Sequence, residues 1–146
     1  MRAVIQRVGS GSVMVDGREV GRIGVGLLVY VGIAIDDQAA DAEYVAGKIR
    51  HLRIFPDSSG KLNLDVVQAG GAGLAISKCT WQADVREGRR PSFTGAASGD
   101  AAKSLYEQVC EKVQGLGATV ERGIFGAMMT ISSVGEGPVN IVVDSK

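Results

Sequence analysis

The sequence predicts an α+β fold in which layered antiparallel or mixed β-sheets carry two amphipathic helices on one side. Three observations point there: the first third alternates as strands with hairpin signals, helical spacing occurs only twice, and the end of the chain returns to strand patterning. Each helix needs a sheet face to cover. A chain of 146 residues with 45% hydrophobic residues can supply one as a single domain over residues 1–146, burying about two-thirds of its unfolded surface.

The elements follow in order. Residues 2 to 8 alternate, and "SVMVDGREVGRIG" brackets an Asp16-Gly17 turn with Val13, Val15, Val20 and Ile23, which is a hairpin pattern. "VGLLVYVGIAI" reads as a buried strand. From Asp36 the spacing becomes helical through Ala40, Tyr44, Val45, Ile49 and Leu52, with Asp36 or Asp37 as N-cap. After "RIF", Pro56 and "DSSG" turn the chain, and "KLNLDVV" and "LAIS" follow as short strands. "KCTWQADVREGRRPSFTGAASG", residues 78–99, has no period and is expected to be a long loop of the functional kind. A second helix is predicted from about Asp100 to Leu116, with Leu105, Val109, Val113 and Leu116 on one face and Gly115 or Gly117 as C-cap. Two strands, around Met128–Val134 and Val139–Asp144, close the chain as a hairpin about "GEGPVN".

Composition narrows the function. With 16 basic and 16 acidic residues the net charge is zero, so a polyanionic partner must be met by a local patch. The longest apolar run is broken by glycines and falls short of the roughly 20 residues that span a bilayer, so no membrane partner is expected. No secretory pattern opens the sequence, and a cytoplasmic protein is expected. Two cysteines without CxxC spacing and one histidine give neither a disulfide framework nor a metal site, and no cofactor is implied.

Few residues offer side-chain chemistry. Cys79 beside Lys78 could act as a thiolate nucleophile, or could fill apolar space where a strand leaves the sheet. Ser77 and His51 could meet as part of a triad, or His51 could be solvated at the carboxyl pole of its helix. Arg86, Arg89 and Arg90 lie within five residues, and "KIRHLR" adds Lys48, Arg50 and Arg53; guanidinium forks match phosphate oxygens, although a solvated face explains either run. "GGAG" lacks the ending of a phosphate-binding loop and is expected to turn a hairpin. Gly137-Pro138 removes one ladder N–H and tolerates unusual backbone angles. It could hold carbonyls toward a substrate amine, or close the last hairpin as a type II turn.

Across nearly the whole chain, "MRAVIQRV", "GLLVYVGI", "KIRHLRIF", "GKLNLDV", "GRRPSF", "FGAMM" and "GPVNIVVDS" together resemble the D-aminoacyl-tRNA deacylases. The resemblance implies a two-layered β arrangement with helices on one side, a homodimer with active sites at the subunit interface, and hydrolysis of the ester joining a D-amino acid or glycine to the terminal adenosine of tRNA. One family motif, Ser-Gln-Phe-Thr-Leu, matches "SKCTW" at Ser77 and Thr80, with Lys78, Cys79 and Trp81 as departures. The other, Asn-x-Gly-Pro-x-Thr, matches "GEGPVN" at Gly137 and Pro138, with Gly135 and Asn140 replacing its ends. By this resemblance Ser77, Lys78, Cys79 and Thr80 form a catalytic wall acting mainly through main-chain groups. Gly137 and Pro138 form a chirality wall donated across the dimer, where their carbonyls occupy the space an L side chain needs. Met128 or Met129 is expected to pack beneath the adenosine, or to belong to the core as a strand Met more often does; by resemblance Phe93 and Arg7 brace the loops, and Arg86, Arg89 and Arg90 are expected to meet acceptor-stem phosphates. The tRNA's own ribose hydroxyl assists the attacking water. Two alternatives stand beside this: a non-catalytic or altered-specificity binder of aminoacyl-tRNA 3′ ends, and a thiol hydrolase dependent on Cys79.

Overall fold

A computed structural model describes residues 1–86 and 88–146; Glu87, inside the loop predicted over 78–99, lies outside the described residues. The first hairpin forms where the sequence places its turn, with Asp16 and Gly17 at φ of 50° and 75° between β1 (Arg2–Val15) and β2 (Arg18–Ile23). β1 is a single long strand rather than two short ones. It pairs antiparallel with β3 (Gly26–Gly32) through Arg2–Val8 and with β2 from Gly11 onward. β6 (Ala72–Ser77) then pairs parallel with β3, and β7 (Val120–Arg122) pairs parallel with β6. The resulting six-stranded mixed sheet curls until a Cβ added at Gly21 on β2 would come 3.1 Å from the carbonyl oxygen of Arg122 on β7. β4 (Phe55–Pro56) and β5 (Leu62–Leu64) form a separate small hairpin.

Both faces of the sheet are covered, which is why β3 reads as an unbroken apolar run. Leu27, Val29 and Val31 face the helices α1 (Ala39–His51) and α2 (Gly99–Gly115), packing with Val45, Ile49 and Val109. Leu28 points the other way, into a second core inside the curl with Val8, Val13, Leu74 and Ile76. Each such fully buried side chain contributes about 1.5–3 kcal/mol. The predicted α+β class with two helices on one side agrees with this arrangement.

Several local expectations are corrected. α1 begins at Gln38 as N-cap, whose N–H donates to Asp41 at 2.8 Å, because the carboxylate of Asp37 is already taken by the N–H of Ala34 (2.6 Å) and the amine of Met1 (2.5 Å). Tyr44 lies on the exposed side of α1 beneath the ammonium of Lys48. On α2 the buried face is Ala102, Tyr106, Val109, Cys110 and Val113, while Leu116 is the C-cap and exposed, followed by Gly117 at φ 92°. "GGAG" turns no hairpin; it leads into the parallel strand β6, and "DVV" is turn rather than strand. β7 was not anticipated.

The largest correction concerns the end of the chain. Thr130–Asp144 is one continuous strand, β8, that runs antiparallel along nearly the whole of β1, and there is no terminal hairpin. Gln6 pairs with Asn140 and Val8 with Gly135, so the four residues Glu136–Val139 stand opposite Arg7 alone. Gly-Pro punctuation, which sequence reading takes for a turn, here makes a bulge that pushes four residues out of the ladder.

Candidate functional site

β6 ends at Ser77, and the N–H of Lys78 extends its ladder by donating to the carbonyl of Val31 at 2.8 Å. The chain then tightens into a 3₁₀ turn over Cys79–Gln82, in which the Trp81 N–H donates to the Lys78 carbonyl (3.3 Å) and the Ala83 N–H to that of Thr80 (3.2 Å). Three contacts seat this turn on β3. Trp81 meets Tyr30 edge-to-face at 6.2 Å, Gln82 Nε2 donates to the Gly32 carbonyl at 3.2 Å, and a Cβ at Gly32 would sit 2.7 Å from that of Trp81. The amides of Cys79 and Thr80 open the turn, where a helix leaves its first donors without an internal acceptor, and no side chain caps them.

Beside this turn lies a cavity of about 370 Å³. Ser77, Lys78, Cys79 and Thr80 form one wall, Met128 and Met129 with the preceding Phe125–Ala127 a second, and the start of α2 a third. Met129 is held because Gly123 leaves room for it; a Cβ there would lie 2.6 Å from its sulfur. Met128 is 90% exposed at the rim. Behind the second wall Tyr106 donates its hydroxyl to the Ala75 carbonyl at 2.8 Å and packs on Phe125, and burial raises its pKa. Lys78 brings the only formal charge to the described cavity wall. His51 is exposed in the last turn of α1 and does not line the cavity, so Ser77 has no imidazole partner there. Cys79 is an exposed free thiol rather than buried filler. Among the described residues no cluster of three metal-ligating side chains occurs, and no helix is long and apolar enough to cross a membrane.

A scan against family models matches residues 4–144 to D-Tyr-tRNA(Tyr) deacylase. The chain belongs to this family. Curated relatives named D-aminoacyl-tRNA deacylase are similar along their full lengths: 50% identity over 146 residues in Desulfatibacillum aliphaticivorans, covering 100% of both chains, and 51% in Opitutus terrae, covering 99% and 97%. Among solved structures, one titled c-Myc DNA Unwinding Element Binding Protein superposes with a TM-score of 0.94 at 34% identity, covering 100% of this chain and 99% of that one. Another, titled as a probable eukaryotic D-amino acid tRNA deacylase, gives 0.83 at 18% identity over 97% of each chain and shares the fold.

The cavity thus gathers six of the residues singled out in the sequence: Ser77, Lys78, Cys79, Thr80, Met128 and Met129. The others lie apart from it in this chain. The Gly137-Pro138 peptide is cis, with Gly137 at φ 125°, and both residues are exposed on the β8 bulge. Arg7 holds that bulge: its Nε donates to the Glu136 carbonyl (3.2 Å) and its Nη1 to the Ile54 carbonyl (2.6 Å). Phe93 is 45% exposed. Arg86 is chelated by Asp84, whose carboxyl the Arg86 side chain and N–H hold down to about 2, and it lines a separate groove with Arg2 and Trp81. Arg89 and Arg90 are exposed on the same loop. In "KIRHLR", Arg50 is spent on Asp65 (2.8 Å) and the Leu116 carbonyl (2.9 Å), and Arg53 on the Asn63 carbonyl (2.7 Å), so two of the three cations serve the fold. Sequence reading missed Phe125, Ser98, Gly99 and Ala102, which are apolar or small; the Ser-Gly pair ahead of α2 was the available signal.

Proposed function

We propose that the protein hydrolyses the ester joining a D-amino acid, or glycine, to the terminal adenosine of tRNA. Water attacks the ester carbonyl carbon, the carbonyl oxygen becomes an oxyanion, and the bond to the ribose oxygen then breaks. The ribose oxygen leaves with a proton and the amino acid departs as its carboxylate. The observation that carries the reading is the pair of amides on Cys79 and Thr80, without a side-chain cap at the start of a turn whose residues line the cavity of a chain in this family. Such a donor is typically worth about 3 kcal/mol in the transition state and survives the replacement of neighbouring side chains. Neither histidine nor carboxylate stands on the described cavity wall, which suits assistance by the substrate's own ribose hydroxyl.

In this reading Gly137 and Pro138 enter the cavity of a second copy and reject L-amino acids. Three features support it: the bulge is exposed, Arg7 fixes its carbonyl side, and Val134 and Val142 on β8 are 58% and 62% exposed. Steric exclusion from one side discriminates enantiomers where added attraction would serve both. Arg89 and Arg90 are the guanidiniums available to tRNA phosphates, and affinity for tRNA then falls as salt rises.

The test is release of amino acid from D-tyrosyl-, L-tyrosyl- and glycyl-tRNA by the purified protein, with Cys79→Ala alongside. Turnover of the D-ester that survives Cys79→Ala is expected. Loss of activity in that variant would favour a thiol hydrolase, and no release above buffer from any ester refutes the deacylase. A second reading, a non-catalytic binder of nucleic-acid 3′ ends, draws on the 34% identical structure whose title names a DNA element. It requires retention of a non-hydrolysable D-aminoacyl-adenosine analogue without turnover of the ester.

A further inference from the structure

The described wall of the cavity beside the 3₁₀ turn is apolar apart from main-chain groups, two hydroxyl-bearing stretches, the Cys79 thiol and one full charge. That charge belongs to Lys78, and among the described residues no carboxylate lines the cavity with it. The other basic side chains that the sequence singles out are paired or do not line the cavity: Arg50 is with Asp65, Arg86 with Asp84, and Arg7 with two carbonyls. Lys78 differs. Its residue is exposed, and among the described residues it takes part in no ion pair.

Its backbone is nevertheless fixed, by its N–H on the Val31 carbonyl and by its own carbonyl, which accepts from Trp81. The stem of the side chain therefore starts from a rigid point next to the amides that would hold the oxyanion. The start of α2 forms another wall through Ser98 and Gly99, and a helix start carries partial positive charge, partly offset here by Asp100 in the first turn. A neutral protein thus presents a pocket lined by one cationic residue, which has no counter-ion among the described residues.

We propose that Lys78 makes the pocket select aminoacyl groups that themselves carry a carboxylate, so that D-aspartyl and D-glutamyl esters are preferred over neutral esters of the same size. The inference rests on the deacylase reading and names its substrate class. A carboxylate on the aminoacyl group supplies the counter-charge that the ammonium lacks, and a neutral side chain leaves the ammonium solvated and unused.

The measurement is kcat/KM for D-aspartyl- and D-asparaginyl-esters carried on the same tRNA body, which are nearly isosteric and share every phosphate. Wild-type protein should favour the aspartyl ester by about threefold or more at low salt, the scale of a part-exposed ion pair. The preference should shrink as salt rises, vanish in Lys78→Gln and invert in Lys78→Glu. A wild-type ratio of one, or a ratio unchanged by Lys78→Gln, overturns the proposal. An equal loss for both esters in Lys78→Gln, with a smaller salt dependence, also overturns it, since the ammonium would then be meeting a phosphodiester of the tRNA. Should neither ester turn over, the deacylase reading fails by itself. Competition between non-hydrolysable D-aspartyl- and D-asparaginyl-adenosine analogues, in wild type and Lys78→Gln, then decides the role of Lys78 by the same ratio.

Discussion

Gly32→Ala should damage catalysis more than it damages the fold. The added Cβ would lie 2.7 Å from Trp81 Cβ and 3.0 Å from the Lys78 carbonyl oxygen. Carbon atoms rest at about 3.5–4.0 Å, so the 3₁₀ turn must retreat by about 1 Å. Crowding of this kind costs about 1–3 kcal/mol, which for a chain of this size lowers the thermal midpoint by about 3–10 °C. In the proposed reaction the same retreat carries the amides of Cys79 and Thr80 away from the developing oxyanion. An oxyanion donor works at roughly 2.7–3.1 Å, and losing one costs about 10²–10³ in kcat. We expect kcat/KM on D-tyrosyl-tRNA to fall about a hundredfold in protein that still unfolds cooperatively. Trp81, the only tryptophan in the chain, reports the displacement through its fluorescence. Gly24→Ala is the control, because nothing lies within 4 Å of its added Cβ. Wild-type kcat/KM in a Gly32→Ala protein whose Trp81 emission has shifted would refute the assignment of this turn to the chemistry.

Gly47 sits inside α1 with nothing within 4 Å of an added Cβ, so Gly47→Ala should raise stability by about 0.5–1 kcal/mol, measured by urea denaturation. Tyr106→Phe removes a buried hydroxyl from the Ala75 carbonyl, which keeps its bond from the Gly123 N–H at 3.0 Å; with the acceptor still satisfied, the loss should be about 0.5–1.5 kcal/mol by the same method. Asp84 should titrate near pH 2, since its folded pKa lies below the ordinary carboxylate range. The Asp84–Arg86 tether is therefore complete above about pH 4 and is lost as pH falls through about 2. Carbon-detected NMR of the side-chain carboxyl follows it directly, and a midpoint at an unperturbed value would mean that Arg86 is free for another partner.

Local chemistry made much of the fold legible. Asp16-Gly17 fixed the first hairpin, period-2 and period-3.6 spacing separated sheet from helix, and Ile49, Val109 and Val113 sit in the core their spacing implied. What escaped was non-local. Nothing in "LAIS" says that it pairs parallel with β3, and β7 is three residues long. By sequence alone the last strand divides in two, because Gly135, Gly137 and Pro138 look like a turn, whereas register is held from outside by the long partner β1. At the site, "SKCTW" was found through its likeness to a family motif rather than through its own chemistry, because amides that act as donors leave no mark on side-chain identity. Phe125 and Ala102 carried no chemical signal at all.

The pairing of β1 with β8 also dictates when the molecule can be finished. β1 precedes every other strand described, and one whole edge of it stays uncovered until Thr130–Asp144, the last strand described, leaves the ribosome. During that interval an exposed template with a full row of unpaired amides is available to any neighbouring chain. Nascent protein should therefore depend on shielding early in synthesis. A stop codon at the start of β8 should give aggregates rather than a shortened enzyme.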